Sequence, residues 1–290
     1  MQRNAMTWAG MLVLGLMTLS AMQAHGEDVE RAVPKGEVLR LKTDDGVPFA
    51  LWGMAPTYPA PTLLIFSATI DESLGNPYFR QGGNLLAEEG FLCVSMDLPG
   101  HGADQREGEP GGLAAWRFRS DQGEDFITPF TAQVKQVLDY LVAEGYTDPE
   151  RIAACGTSRG GFMAVQTAAV EARIRATAAY APVTNLMALR EFTGATNTDF
   201  VAGLSLLSRA EMLAGRSLWL VIGDRDERVS TDDCIAFGRR VTKVSLEKGM
   251  ESDVTLIVQP EPKGHTTPAG APEQSAAWIL EKLEPRMDTN

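Results

Sequence analysis

A serine hydroxyl becomes a strong nucleophile only where a neighbouring base takes its proton, and Ser158 stands in a setting suited to that. Gly156-Thr-Ser158-Arg-Gly160 fits the pattern G-x-S-x-G. Five residues are a weak signal alone; the flanks make them informative. The apolar run Arg151-Ile-Ala-Ala-Cys155 precedes the pattern, and an apolar helical stretch begins near Gly161. A strand-to-helix turn of this kind exposes the hydroxyl. It also needs small neighbours to avoid clashes, and it sets the oxygen at a helix N-terminus, where developing negative charge is favoured.

The base has few sources, because the chain holds three histidines. His25 lies at the edge of an N-terminal apolar segment. His101 falls in the turn Pro99-Gly-His-Gly102, upstream of the serine. His265, within Lys263-Gly-His-Thr266, follows an apolar strand and precedes the last helix, so it is the histidine in the right order. An orienting acid is expected between serine and histidine, in a loop after a strand. The run Ser217-Leu-Trp-Leu-Val-Ile222 is such a strand, and Gly223-Asp-Arg-Asp-Glu-Arg-Val229 is the loop. Asp224, Asp226 and Glu227 all lie there, and composition does not separate them. Arg159, beside the serine, reads either as a grip for an acidic substrate group or, preferably, as one half of an internal salt bridge. Trp116, Arg117 and Arg119 pose the same choice between a substrate grip and packing at the rim.

These side chains need a frame, and short apolar runs alternating with helical stretches supply one. Strands are expected over 38–42 and 48–52, joined by the hairpin signal Asp44-Asp-Gly46, and over 62–67, 91–96, 152–155, 175–180, 218–222 and 254–258. Helices are expected over 78–89, 129–144, 158–171, 232–247 and 273–283. Continuous apolar strands separated by helices imply a mostly parallel sheet of about eight strands, covered on both faces. Residues 103–127 read as a long loop, and 182–216 as a small insertion after the sixth strand with a short helix near 204–213. Ligands gather at such insertions, at the carboxyl ends of strands.

Composition narrows the class. The chain has 290 residues, 44% hydrophobic and 22% charged, which suits one globular α/β domain rather than a disordered chain. Lys plus Arg at 26 against Asp plus Glu at 38 gives −12, which argues against a nucleic-acid partner and gives no attraction to anionic lipid. Three cysteines and three histidines leave little for a metal site, and no metal or other cofactor is expected. Cys93 and Cys155 fall inside apolar strands and Cys234 in a helix; none is expected to act chemically. Residues 1–26 carry Arg3 near their start, continue as an uncharged apolar run and end in small residues, the pattern of a secretory signal peptide. The expected mature domain is therefore 27–290, secreted or periplasmic and without stable membrane association, or membrane-anchored if the leader is uncleaved.

The assembled motifs resemble those of the α/β-hydrolase superfamily, in its dienelactone-hydrolase and prolyl-oligopeptidase-like branch, over about residues 36–284. That resemblance implies Asp226 as the acid, since Gly223, Asp226 and Val229 match a G-x-x-D-x-x-V loop. It matches Asp97-Leu-Pro-Gly-His-Gly102 to a D-x-x-G-H-G signature, which implies that His101 shapes a turn beside the site. It implies the catalytic set Ser158, Asp226 and His265, in family order, with acyl transfer to Ser158 and then to water. The oxyanion donors are expected to be the backbone N–H of Arg159 and one from the loop after the third strand. That loop reads Phe66-Ser-Ala-Thr-Ile70 where the family usually has His-Gly, which points to Thr69, with Ala68 or Ile70 as alternatives. The expected activity is hydrolysis of a small-molecule carboxylic ester. The alternatives are a peptidase of prolyl-oligopeptidase type without its propeller, for which the roughly ten residues before the first strand leave no room, and a catalytically silent binding protein.

Overall fold

The computed structural model describes residues 36–53 and 59–284. The expected signal peptide over 1–26 lies outside them. Eight strands form one sheet: β1 (Leu39–Lys42), β2 (Pro48–Trp52), β3 (Ala60–Phe66), β4 (Leu92–Ser95), β5 (Thr147–Thr157), β6 (Ile174–Tyr180), β7 (Ser217–Gly223) and β8 (Val254–Gln259). Their order is β1-β2-β4-β3-β5-β6-β7-β8. The pairs β1–β2 and β2–β4 are antiparallel and every later pair is parallel. This is the open, mostly parallel sheet of an α/β-hydrolase.

The apolar strands divide their side chains between two cores. In β3, Leu64 and Phe66 join one core while Leu63 and Ile65 join the other. In β7, Leu218, Leu220 and Ile222 face the first core, and Trp219 and Val221 the second. Alternation between two buried faces is why these strands read as unbroken apolar runs. The first core is closed by α4 (Ile127–Ala143), α5 (Arg159–Val170) and α7 (Thr231–Glu247); the second is closed by α8 (Ala271–Leu283) with Leu86 of α2 (Gly83–Leu86). Among the described residues, no helix is long and apolar enough to cross a membrane. All three cysteines are free and buried, and burial pushes the Cys93 and Cys234 thiols up to about 12.

Several elements differ from the sequence expectation. The helix expected over 78–89 is instead two short helices, α1 (Pro77–Arg80) and α2, broken at Gln81 and preceded by a π turn at Asp71–Gly75. There the backbone takes φ 49°, which no helix accommodates. The long loop over 103–127 contains α3 (Leu113–Asp121). Its apolar stripe is masked in the sequence by Arg119, which is buried and paired with Asp104 at 2.7 Å and with Glu109. Strand β5 begins at Thr147, five residues before its apolar run, and shifts register between Ile152 and Ala153. The insertion after β6 carries α6 (Thr198–Leu204) and single 3-10 turns.

Candidate active site

The strand β5 ends and α5 begins at a turn whose apex is Ser158, with φ 56° and ψ −115°. A residue with a Cβ pays about 1–3 kcal/mol to hold such angles, so neighbouring structure must impose them. Ser158 N–H donates to Tyr180 O of β6 at 2.9 Å, and Ser158 O accepts from Phe162 N–H and Val183 N–H at 3.1 Å. The glycines on either side allow the turn to close. A Cβ on Gly156 would lie 2.3 Å from Gly160 C, and one on Gly160 would lie 1.8 Å from Phe66 O and 2.3 Å from Phe66 C. Both obstacles at Gly160 are backbone, which cannot swing aside. Gly160→Ala is therefore expected to destabilise the fold by about 3 kcal/mol or more in urea unfolding. At Gly161 the closest atoms stand at 3.0 and 3.1 Å, so Gly161→Ala serves as a milder control. Equal stability of Gly160→Ala and wild type would refute the close approach of α5 to the end of β3.

The loop after β7 presents its three acids differently. Asp226 is buried; its Oδ1 accepts the N–H groups of Arg228 at 3.0 Å and Val229 at 3.2 Å. Its Oδ2 lies 2.7 Å from His265 Nδ1. Asp224 instead accepts from Glu261 N–H at 2.8 Å, tying the loop to the segment after β8, and Glu227 is exposed. Thr231, the first residue of α7, braces the loop by accepting from Asp226 N–H at 3.2 Å and donating to Gly223 O at 2.6 Å. A carboxylate only accepts, so the bond to Asp226 places the imidazole proton on His265 Nδ1 and leaves Nε2 as an acceptor. Nε2 lies 3.0 Å from Ser158 Oγ. Serine, histidine and aspartate thus form one hydrogen-bonded line, from a half-exposed hydroxyl to a buried carboxylate. Such a line can take a proton from the hydroxyl as its oxygen attacks and return it to a leaving group.

Around the serine, the loop after β3 has several groups already committed. Ser67 N–H donates to Ser73 Oγ at 3.1 Å, and Ile70 N–H to Asp97 Oδ1 at 2.7 Å. Asp97 also accepts from Ala103 N–H at 2.8 Å, so it fastens this loop to the Gly100–Ala103 turn. Of the three N–H groups expected as oxyanion donors in this loop, that of Ile70 is therefore already engaged. Arg159 has its guanidinium engaged with the loop after β3: Nε donates to Ser67 O at 3.2 Å, and Nη2 stands a loose 3.9 Å from Glu72 Oε1. Burial draws Arg159 below its ordinary pKa, against the opposing pull of Glu72.

Trp116, Arg117 and Arg119 belong to the scaffold. Trp116 is buried against Phe126 and Phe162, and its indole N–H donates to Pro99 O at 2.6 Å. Arg117 pairs with Asp121 at 2.5 Å and donates to the carbonyls of Thr193 and Gly194 at 2.9 and 2.6 Å. The ion pair of Arg228 with Glu191 at 2.7 Å, which sequence reasoning missed, joins the acid loop to the insertion after β6. Among the described residues, no cluster of His, Cys, Asp and Glu has metal-site geometry.

His101 bonds to Pro99 O at 2.8 Å through Nδ1 and packs edge-on against Trp116, in the turn beside the site. Burial pushes it down from 6.5 to about 4, with Arg159 adding to that, while the Pro99 carbonyl, Asp97 and Asp104 oppose. The folded value lies below the unfolded one, so the unfolded chain binds a proton first as pH falls. The stability this contributes is complete above about pH 6.5 and is lost as pH falls toward 4, by about 2–3 kcal/mol. Urea unfolding at pH 7.5 and 4.5 should show that loss in wild type and a correspondingly smaller one in His101→Gln. Equal acid losses in the two proteins would assign the effect elsewhere.

A model of the prolyl oligopeptidase family matches residues 77–283. No curated protein matches the sequence. Among solved structures, a PEG-bound cold-adapted esterase from an Arctic intertidal metagenomic library superposes with a TM-score of 0.61 at 19% identity, over 85% of this chain and 93% of that one. TT1662 from Thermus thermophilus gives 0.61 at 21% identity, over 86% and 99%. Dipeptidyl peptidase 4 from Porphyromonas gingivalis gives 0.58 at 17% identity, over 87% of this chain but 36% of that chain. At such identities the likeness is one of fold.

Proposed function

The chain belongs to the prolyl oligopeptidase family of α/β-hydrolases, and from that premise we propose that it hydrolyses a small carboxylic ester through an acyl-enzyme on Ser158. One observation carries the reading: the line from Ser158 through His265 to Asp226, with steps of 3.0 and 2.7 Å, at a turn that presents the hydroxyl.

Ser158 Oγ attacks the ester carbonyl as His265 Nε2 takes its proton, and the carbonyl oxygen becomes an oxyanion. The Arg159 N–H at the start of α5 and the Thr69 N–H, with Ala68 as the alternative, are the donors for that oxygen. Collapse of the tetrahedral species breaks the bond to the alcohol, which leaves with the proton from His265. Water then repeats the sequence, giving up its proton to His265 as it attacks the acyl-serine and releasing the acid. Asp226 holds the tautomer and balances the imidazolium in both halves.

Ester is preferred to peptide because the esterase named above is covered over 93% of its length, whereas the peptidase is covered over 36%. The leader over 1–26 would direct the domain 27–290 to the periplasm or the exterior.

The test is turnover by the full chain of p-nitrophenyl acetate, butyrate and octanoate beside alanyl-prolyl-p-nitroanilide. The ester reading expects turnover of the short esters with little release from the anilide. Efficient anilide cleavage without ester turnover would replace it with a peptidase. Tight binding of both without turnover would replace it with a binding role.

A further inference from the structure

Gln81, between α1 and α2, holds φ 49° and ψ −128°. Glycine enters that region freely, and Gly82 and Gly83 follow directly, yet the position is filled by a long amide. A strained backbone persists where surrounding contacts over-determine it, and here those contacts come from the side chain. Gln81 is buried, and both hydrogens of its Nε2 are used: one goes to Thr157 Oγ1 at 3.0 Å and the other to Thr267 Oγ1 at 2.8 Å. Thr157 directly precedes the elbow serine. Thr267 stands two residues beyond His265.

The same short segment grips the histidine loop a second time. Thr267 N–H donates to Tyr78 Oη at 3.2 Å, and that hydroxyl shares a hydrogen bond with Thr266 Oγ1 at 3.1 Å. The loop needs such restraint, since residues 260–270 form no helix or strand. Asp226 fixes one nitrogen of the His265 ring, but a single bond leaves the ring free to pivot about it. The distance from Nε2 to Ser158 Oγ then depends on how the loop is registered against the end of β5. Among the described contacts, the Gln81 carboxamide is the one group that bonds to both sides of that gap.

We propose that Gln81 is a positioning residue for acyl transfer, setting the distance between His265 and Ser158 by tying the two loops that carry them to one buried amide. The role presupposes the ester-hydrolase reading of the site. Loss of the tie moves the base relative to the nucleophile without touching the substrate, so it lowers kcat and leaves KM nearly unchanged. A misplacement of about 1 Å in a reacting pair costs on the order of 100-fold.

The experiment compares full-chain wild type with Gln81→Met, which keeps the volume and removes both donors, and with Thr267→Val, Thr267→Ser and the Gln81→Met/Thr267→Val pair. Expected for Gln81→Met and Thr267→Val is a fall in kcat on p-nitrophenyl butyrate of about 10–100-fold, with KM within about twofold. The pair should be no worse than the weaker single variant, and Thr267→Ser should keep most of the rate. An independent readout is the low-field proton resonance of His265 Nδ1–H donating to Asp226, which should broaden or vanish in Gln81→Met. If wild type turns over the ester while Gln81→Met keeps both rate and resonance, the positioning role is wrong and the ester reading stands. If no ester is turned over but the resonance is lost in Gln81→Met, the tie is upheld and the ester reading falls. Should Gln81→Met fail to fold, Thr267→Val at a half-buried position carries the same decision.

Discussion

Ser158→Ala should lower kcat for p-nitrophenyl butyrate by about 10⁶ while leaving KM nearly unchanged, because removal of a nucleophile that works as a unit with its base abolishes almost all the chemistry. The residual rate should come from bound water placed near the proposed donors at Arg159 and the loop after β3. The fold should be little affected. Alanine meets the same φ 56° as serine, the backbone bonds to Tyr180, Phe162 and Val183 are kept, and the hydroxyl lost has one described partner, His265. Urea midpoints for the two proteins are therefore expected to agree closely. Mass spectrometry gives a second reading: after a short pulse of ester, wild type should carry one acyl group on the peptide containing Ser158, and Ser158→Ala none. Residual turnover within tenfold of wild type would mean that another group attacks, and the mechanism built on Ser158 would have to be abandoned.

How far the letters of the sequence lead depends on how local the determining physics is. The central strands were readable because side chains alternating between two buried cores must be apolar at every position, as in Leu63 to Phe66 and Leu218 to Ile222, whereas β1, with Arg40 and Lys42, showed itself through the turn at Asp44-Asp-Gly46. Ser158 was readable because steric crowding around it admits only glycine at 156 and 160, which leaves a visible spacing. Helix α3 was not, because Arg119 looks solvated until Asp104 and Glu109 close over it. The proposed oxyanion donors are backbone groups, so no residue type announces them, and seeing that Ile70 N–H is engaged took its bond to Asp97, 27 positions away. Gln81 lay furthest from view. Its two partners are 76 and 186 residues distant, and nothing in its own neighbourhood marks it. Asp224, Asp226 and Glu227 fall between these extremes. They sit within four residues of one another, and the direction each side chain takes is fixed by the curl of the loop around Thr231 and by the N–H groups of Arg228 and Val229.

The choice among those acids yields the second large effect: Asp226→Asn should cost about 10⁴ in kcat, through a change of tautomer and not of shape. The carboxylate makes two kinds of bond. Oδ1 accepts two backbone N–H groups, and Oδ2 accepts the proton on His265 Nδ1. Asparagine keeps the first by turning its carbonyl oxygen toward Arg228 and Val229, which directs its NH₂ at the imidazole. Two donors cannot face each other, so the ring proton moves to Nε2, and the atom that should take the serine proton already carries one. Size and packing are conserved, so the unfolding midpoint should shift little and the loss should appear in kcat. Asp224→Asn keeps a carbonyl oxygen to accept from Glu261 N–H and loses only the charge that stands 3.8 Å from Arg225, and Glu227→Gln alters an exposed side chain. Both are expected within about threefold of wild type, the ordinary reach of a surface change. If either of them matched the loss at Asp226, the orienting acid would be misassigned; if Asp226→Asn kept most of the rate, His265 would be acting without a carboxylate behind it.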